Sequence, residues 1–135
     1  MADGRILYVE DNDDNIFMLT MRLERLGFEV LVARDGEEGI AKAHETRPDL
    51  IIMDLGLPVM DGWEAARRIK SSPDLATTPV IALTAHAMAG EEDKALAAGC
   101  DAYDSKPVVF KRLVQKIQSL LDGKVGAMAD RASGQ

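Results

Sequence analysis

The chain has 135 residues, 16 of them basic and 23 acidic, for a formal net charge of -7. That length supports one hydrophobic core rather than two ordinary domains, and the acidic balance repels a nucleic-acid backbone, so no direct nucleic-acid binding is expected. A lone cysteine, Cys100, cannot form an internal disulfide, and the first apolar run, Ile6 to Val9, is too short for a signal-peptide core or a membrane span; a cytoplasmic protein without membrane insertion is expected.

Arg5 to Val9 is a short β-rich run that ends abruptly in Glu10 and Asp11. Asn12 to Asn15 offers helix caps, and from Ile16 the apolar residues Leu19, Leu23 and Leu26 follow near helical spacing until Gly27, which suits a helix end because it lacks a Cβ. Phe28 to Ala33 predicts a second strand, Asp35-Gly36 a turn, and Glu37 to Glu45 a second helix closed by Pro48. Leu50 to Met53 is nearly continuously apolar, the pattern of a strand buried on both faces, and it stops at Asp54. After a loop from Leu55 to Gly62, a third helix covers Trp63 to Ile69, with Trp63, Ala66 and Ile69 able to face a sheet. Pro79 introduces a further buried run, Val80 to Leu83, which stops at Thr84. Glu91 to Ala98 is an alanine-rich helix with little area to bury, closed by Gly99. Ala102 to Ser105 is a brief fifth strand leading to Lys106-Pro107, and the last helix, Val109 to Leu121, aligns Phe110, Leu113 and Ile117 on one side. Residues 1–122 therefore form the predicted domain, and the small, polar and unpatterned stretch 123–135 reads as a flexible tail with no output domain.

Five β-α units in succession imply an α/β fold with a parallel sheet covered on both faces. Sites in such sheets lie beyond the carboxyl ends of the strands, where Glu10, Asp11, Asp54, Thr84 and Lys106 all fall. Each has a plainer reading by itself: the first two acids as helix caps, Asp54 as a solvated loop acid, Thr84 as a packing or capping residue, Lys106 as a surface lysine. Their joint occurrence at one topological level favours a single cleft. Three carboxylates packed closely resist simultaneous ionisation unless a cation is present, and Mg²⁺ suits an all-oxygen donor set that keeps room for phosphate.

The acidic pair in VEDNDDN, the segment IIMDLGLPVMDG, the threonine-alanine in ALTAHA and the segment DAYDSKP together resemble the receiver domain of two-component response regulators, especially the single-domain receivers of chemotaxis and cell-cycle control. The resemblance covers about residues 5 to 121. It implies a flavodoxin-like (βα)5 sandwich with strand order 2-1-3-4-5, an order that the apolar pattern alone does not supply. It further implies that Asp54 accepts a phosphoryl group from a histidine kinase or a histidine phosphotransfer protein. Asp11 is then a direct Mg²⁺ ligand together with Asp54 and the Gly56 carbonyl, and Glu10 acts largely through metal-bound water. Lys106 pairs with Asp54 and later with the phosphoryl oxygens, and Thr84 and Tyr103 form the switch. Ala85 keeps access open, and Pro107 follows Lys106 in a constrained, cis bond. Gly56 and His86 occupy positions expected to tune rates and access.

On this reading the chain catalyses its own phosphorylation and dephosphorylation without being a metabolic enzyme. It signals by protein contact through the face of the fourth helix, fifth strand and fifth helix, as a monomer or weak homodimer. Other readings fit less well. A haloacid-dehalogenase-like phosphohydrolase needs an aspartate where Gly56 stands, and a flavin carrier needs a hydroxyl-rich phosphate cradle in place of Glu10 and Asp11. A phosphorylation-independent docking module does not require the full set of Asp11, Asp54, Thr84 and Lys106.

Overall fold

The computed structural model of the chain describes residues 4–57, 60–84 and 91–132, and the side chains of all of these except 91–92 and 123–132. Strands and helices alternate from end to end: β1 (Arg5–Val9), α1 (Asp13–Arg25), β2 (Glu29–Ala33), α2 (Gly36–Thr46), β3 (Leu50–Asp54), α3 (Gly62–Ser71), β4 (Val80–Thr84), α4 (Glu91–Ala97), β5 (Ala102–Ser105) and α5 (Phe110–Ala132). The strands form one five-stranded sheet in the order β2-β1-β3-β4-β5, with every neighbouring pair parallel. This is the doubly wound, flavodoxin-like order expected from the resemblance.

Strand alternation divides the core into two layers. Ile6, Tyr8, Leu50, Ile52, Ile81 and Leu83 pack with Leu19 and Leu23 of α1 and Leu113 and Ile117 of α5. On the opposite face Leu7, Val9, Ile51, Met53, Val80 and Ala82 meet Ala43 of α2, Ala65, Ala66 and Ile69 of α3 and Ala95 of α4. Strands β3 and β4 are buried along their whole length, which explains their unbroken apolar runs. The edge strand β2 is only half-buried over most of its length. Trp63 is half-buried against the second layer, and Leu75, beyond α3, joins that layer fully buried.

Local chemistry sets the helix ends. The first helix begins at Asp13, ahead of the first apolar-periodic residue Ile16, because the Asn12 side chain accepts a hydrogen bond from the Asn15 amide at 2.9 Å and Asp13 and Asp14 complement the positive end of the helix. Gly27 follows its C-cap with a φ of 99°, a backbone conformation that a Cβ disfavours. Asp35 and Asp61 cap α2 and α3 by accepting from the amides of Glu38 and Glu64. Helix α5 departs from expectation: its backbone stays helical to Ala132, well past Leu121. The stretch read as a tail has no apolar stripe, yet its alanine, lysine, methionine and arginine residues favour the helix by propensity. No helix among the described residues is long and apolar enough to cross a membrane.

Gly62 opens α3 directly beneath the end of β3. A Cβ there would stand 2.3 Å from the Asp54 carbonyl oxygen and 2.7 Å from the Leu55 Cα, both backbone atoms. Gly62→Ala is expected to destabilise the fold by about 1–3 kcal/mol or more, because backbone has to shift. Urea unfolding checks this, and a change of less than about 0.5 kcal/mol would show that the loop relaxes freely.

Candidate functional site

The strand order reverses between β1 and β3, since β1 leads outward to β2 while β3 leads to β4. The carboxyl ends of these two strands therefore flank the crevice where α/β sheets hold ligands. Asp54 is the last residue of β3, and Glu10 and Asp11 directly follow β1. One suitably placed oxygen from each of these carboxylates lies within 4.8 Å of the others. Glu10 and Asp54 are buried and Asp11 is exposed, so the group opens to solvent on one side only. All three donors are oxygens, a set that fits a hard divalent cation such as Mg²⁺.

Lys106, just beyond β5, closes the site. Its Nζ donates to Asp54 Oδ2 and to Glu10 Oε1, both at 3.0 Å, and its own amide donates to the Thr84 carbonyl at 2.7 Å. The opposite Asp54 oxygen, Oδ1, accepts from the Gly56 amide at 3.0 Å. Glu10 is more heavily engaged. Its Oε1 also accepts from the Tyr8 hydroxyl at 3.1 Å and the Asn15 side-chain amide at 3.4 Å, while Oε2 takes the Asp11 and Asn12 amides at 3.2 and 3.3 Å.

Burial and mutual proximity push the two buried carboxyls apart. Burial, then the neighbouring Asp54, raises Glu10 above the usual carboxylate range despite the opposing Lys106. Burial also works to raise Asp54, but hydrogen bonding with Glu10, the Gly56 amide and Lys106 outweighs it and holds Asp54 below the ordinary value. The two carboxyls are thus shifted in opposite directions, Glu10 upward and Asp54 downward.

The structure brings Glu10, Asp11, Asp54 and Lys106 together as the sequence predicts. Thr84 is buried at the end of β4, paired in register with Ser105. Tyr103 is half-buried on β5 against the α2-α3-α4 layer. The Lys106-Pro107 bond is cis. Ala85 and His86 lie outside the described residues. Asp104 on β5 is buried and turned to α5, where the Arg112 guanidinium meets its Oδ1 at 2.7 Å. His44 is exposed and shares a 2.7 Å contact with Asp74, well removed in sequence from the strand ends. Sequence reasoning missed Tyr8 and Asn15 as partners of Glu10. The two-residue spacing of Tyr8 and Glu10 along one strand is the signal that could have found the first.

Because Glu10 is raised above its ordinary 4.5, its contribution to stability is complete below that value and is lost as pH rises through the folded one. Asp54 has the opposite sign: its contribution is present above its ordinary 3.8 and is lost as pH falls through the lowered folded value. In metal-free solution Glu10→Gln is expected to flatten the decline in stability from pH 4.5 toward neutrality, measured by urea unfolding across that range. An unaltered decline would assign it to other groups.

Comparison with known proteins agrees with this geometry. The model of the response regulator receiver domain matches residues 6–118. The polar-differentiation response regulator DivK of Brucella anthropi is 40% identical over 116 residues, which cover 86% of this chain and 94% of that protein. Among solved structures, a putative response regulator from Chloroflexus aurantiacus superposes with a TM-score of 0.85 at 30% identity, covering 90% of this chain and 99% of that one. The receiver domain of the sensor histidine kinase PA1611 from Pseudomonas aeruginosa, with a magnesium ion coordinated in its active site cleft, gives 0.83 at 36% identity, covering 90% and 99%. A family match that spans almost the entire sheet, joined to a relative of this identity over nearly its full length, shows that the chain belongs to the response regulator receiver domains of two-component signalling.

Proposed function

We propose that the chain is a phosphoacceptor switch in which Asp54 takes a phosphoryl group from the phosphohistidine of a histidine kinase or histidine phosphotransfer protein. The observation that carries this reading is the setting of Asp54 at the sheet's switch point, paired with Lys106 at 3.0 Å and grouped with Glu10 and Asp11. An Asp54 oxygen attacks phosphorus in line; the new O–P bond forms as the P–N bond breaks, and its electron pair returns to the imidazole nitrogen. Lys106 holds the carboxylate in place beforehand and, once the group has transferred, donates to the phosphoryl oxygens. The Thr84 hydroxyl donates a further hydrogen bond at the end of β4, and Tyr103 turns inward in response. Water directed at the same phosphorus returns Asp54 to its free carboxylate, which makes self-dephosphorylation the second activity.

Asp11, Asp54 and the Gly56 carbonyl would hold Mg²⁺, with Glu10 assisting. When bound, Mg²⁺ supplies the positive charge that offsets three carboxylates and the charge spread over the equatorial phosphoryl oxygens. The magnesium ion in the PA1611 receiver supports this assignment. The phosphorylated protein signals by contact through the face of α4, β5 and α5; Leu96 of α4 and Val109, just before α5, are exposed apolar side chains. It acts in the cytoplasm, as a monomer or weak homodimer, and does not bind nucleic acid directly.

Intact mass after incubation with acetyl phosphate tests the reading. The wild-type protein is expected to gain one phosphoryl group only when Mg²⁺ is present, and Asp54→Asn to gain none; no gain under any condition would overturn self-catalysed phosphorylation from small donors. Lys106→Met is expected to slow the gain by about 10²-fold or more, the scale of losing one transition-state donor. Independently, Mg²⁺ at about 100 times its dissociation constant should stabilise the wild-type fold by about 2.7 kcal/mol, and Asp11→Ala should abolish most of that increment in thermal unfolding.

A further inference from the structure

We infer that Tyr8 is a positioning residue for the acidic site, holding the Glu10 carboxylate in its cation-ready orientation through a buried hydroxyl. The inference rests on the phosphoacceptor reading and adds to it a group that lies one strand position inside the core.

Tyr8 is 1% exposed, in the layer formed with α1 and α5. Its neighbours there, Ile6, Leu19, Leu23, Ile52 and Leu83, are purely apolar, and a phenol in such company requires a partner for its hydroxyl. Residues two apart on a strand share a face, so the ring runs along β1 toward Glu10, and the hydroxyl donates to Glu10 Oε1 at 3.1 Å. The remaining donors to Glu10 differ in kind. Lys106 is shared with Asp54, and its ammonium faces competition from any cation that enters the site. Asn15 is exposed and makes the longest contact, 3.4 Å. The Asp11 and Asn12 amides engage only Oε2. Among the described residues, Tyr8 is therefore the one buried, uncharged side chain that fixes Oε1 whether or not Lys106 stays.

Outer groups that orient a metal ligand typically contribute 10–100-fold to metal affinity. With four other donors left on Glu10 among the described residues, Tyr8→Phe is expected at the lower end, about a tenfold rise in the Mg²⁺ dissociation constant. Calorimetry reads the Mg²⁺ dissociation constant directly. The split between affinity and rate separates positioning from general damage. Tyr8→Phe should need about tenfold more Mg²⁺ for half-maximal phosphorylation by acetyl phosphate, yet return to within about twofold of the wild-type rate at saturating Mg²⁺. Leu113→Ala, a truncation in the same layer away from Glu10, should lower the urea midpoint while leaving the Mg²⁺ dissociation constant within about twofold. An unchanged Mg²⁺ constant in Tyr8→Phe, or an equal weakening in Leu113→Ala, would overturn the inference. Failure of the wild-type protein itself to bind Mg²⁺ would instead overturn the phosphoacceptor reading on which it stands.

Discussion

Two carboxyl groups, Glu10 and Asp54, are buried side by side and bridged by a single ammonium. Like charges at that range repel by about 4 kcal/mol even at an effective dielectric of 20, so the arrangement is tolerable only because Lys106 reaches both and one carboxyl readily keeps a proton. Much of the architecture serves this constraint. The sheet order places β1 beside β3, so the two acids emerge from neighbouring strands, and β5 ends where Lys106 can span to them. Gly62 lets the chain turn tightly against the Asp54 carbonyl, and the Gly56 amide occupies the Asp54 oxygen that Lys106 does not. A cation entering there would relieve repulsion already built into the fold, which would link affinity for it to the stability of the protein.

Much of this was legible in the residues. The apolar runs ending at Val9, Met53 and Leu83 locate the central strands because a strand buried on both faces leaves no room for alternation. The polar residue directly after each run locates the site. Helix starts were less legible: Asn12, Asp13 and Asp14 carry no apolar period, and their contribution is capping and charge complementarity at the head of α1. Beyond Leu121 the same logic misled in the other direction, since helical propensity continues where amphipathic patterning ends.

The partners of the site were harder to read. Asp104 and Lys106 both carry charge near the end of β5; the resemblance assigns Lys106 to the cleft, while strand alternation leaves the direction of Asp104 open. The structure sends Asp104 to Arg112 of α5 and Lys106 to Asp54, a division decided by what α5 presents. Tyr8 looked like an ordinary β-former inside an apolar run, because periodicity registers its ring and is blind to its hydroxyl. Cys100 is free, and the structure adds what its solitude did not show: the thiol is buried, and burial pushes it up to about 11.

Strand β5 has the sheet on one side only, and it is held by its side chains at two successive positions on one face. Asp104 is tied to Arg112 and Lys116 of α5, and two residues on, Lys106 is tied to Glu10 and Asp54. Mechanically, both ties sit at the carboxyl end of the strand, two residues apart, with almost no slack between them. A pull on Lys106, from whatever gathers at Asp54, is borne within two residues by the early turns of α5, so the helix farthest along the chain is among the nearest to the site in the path that load takes.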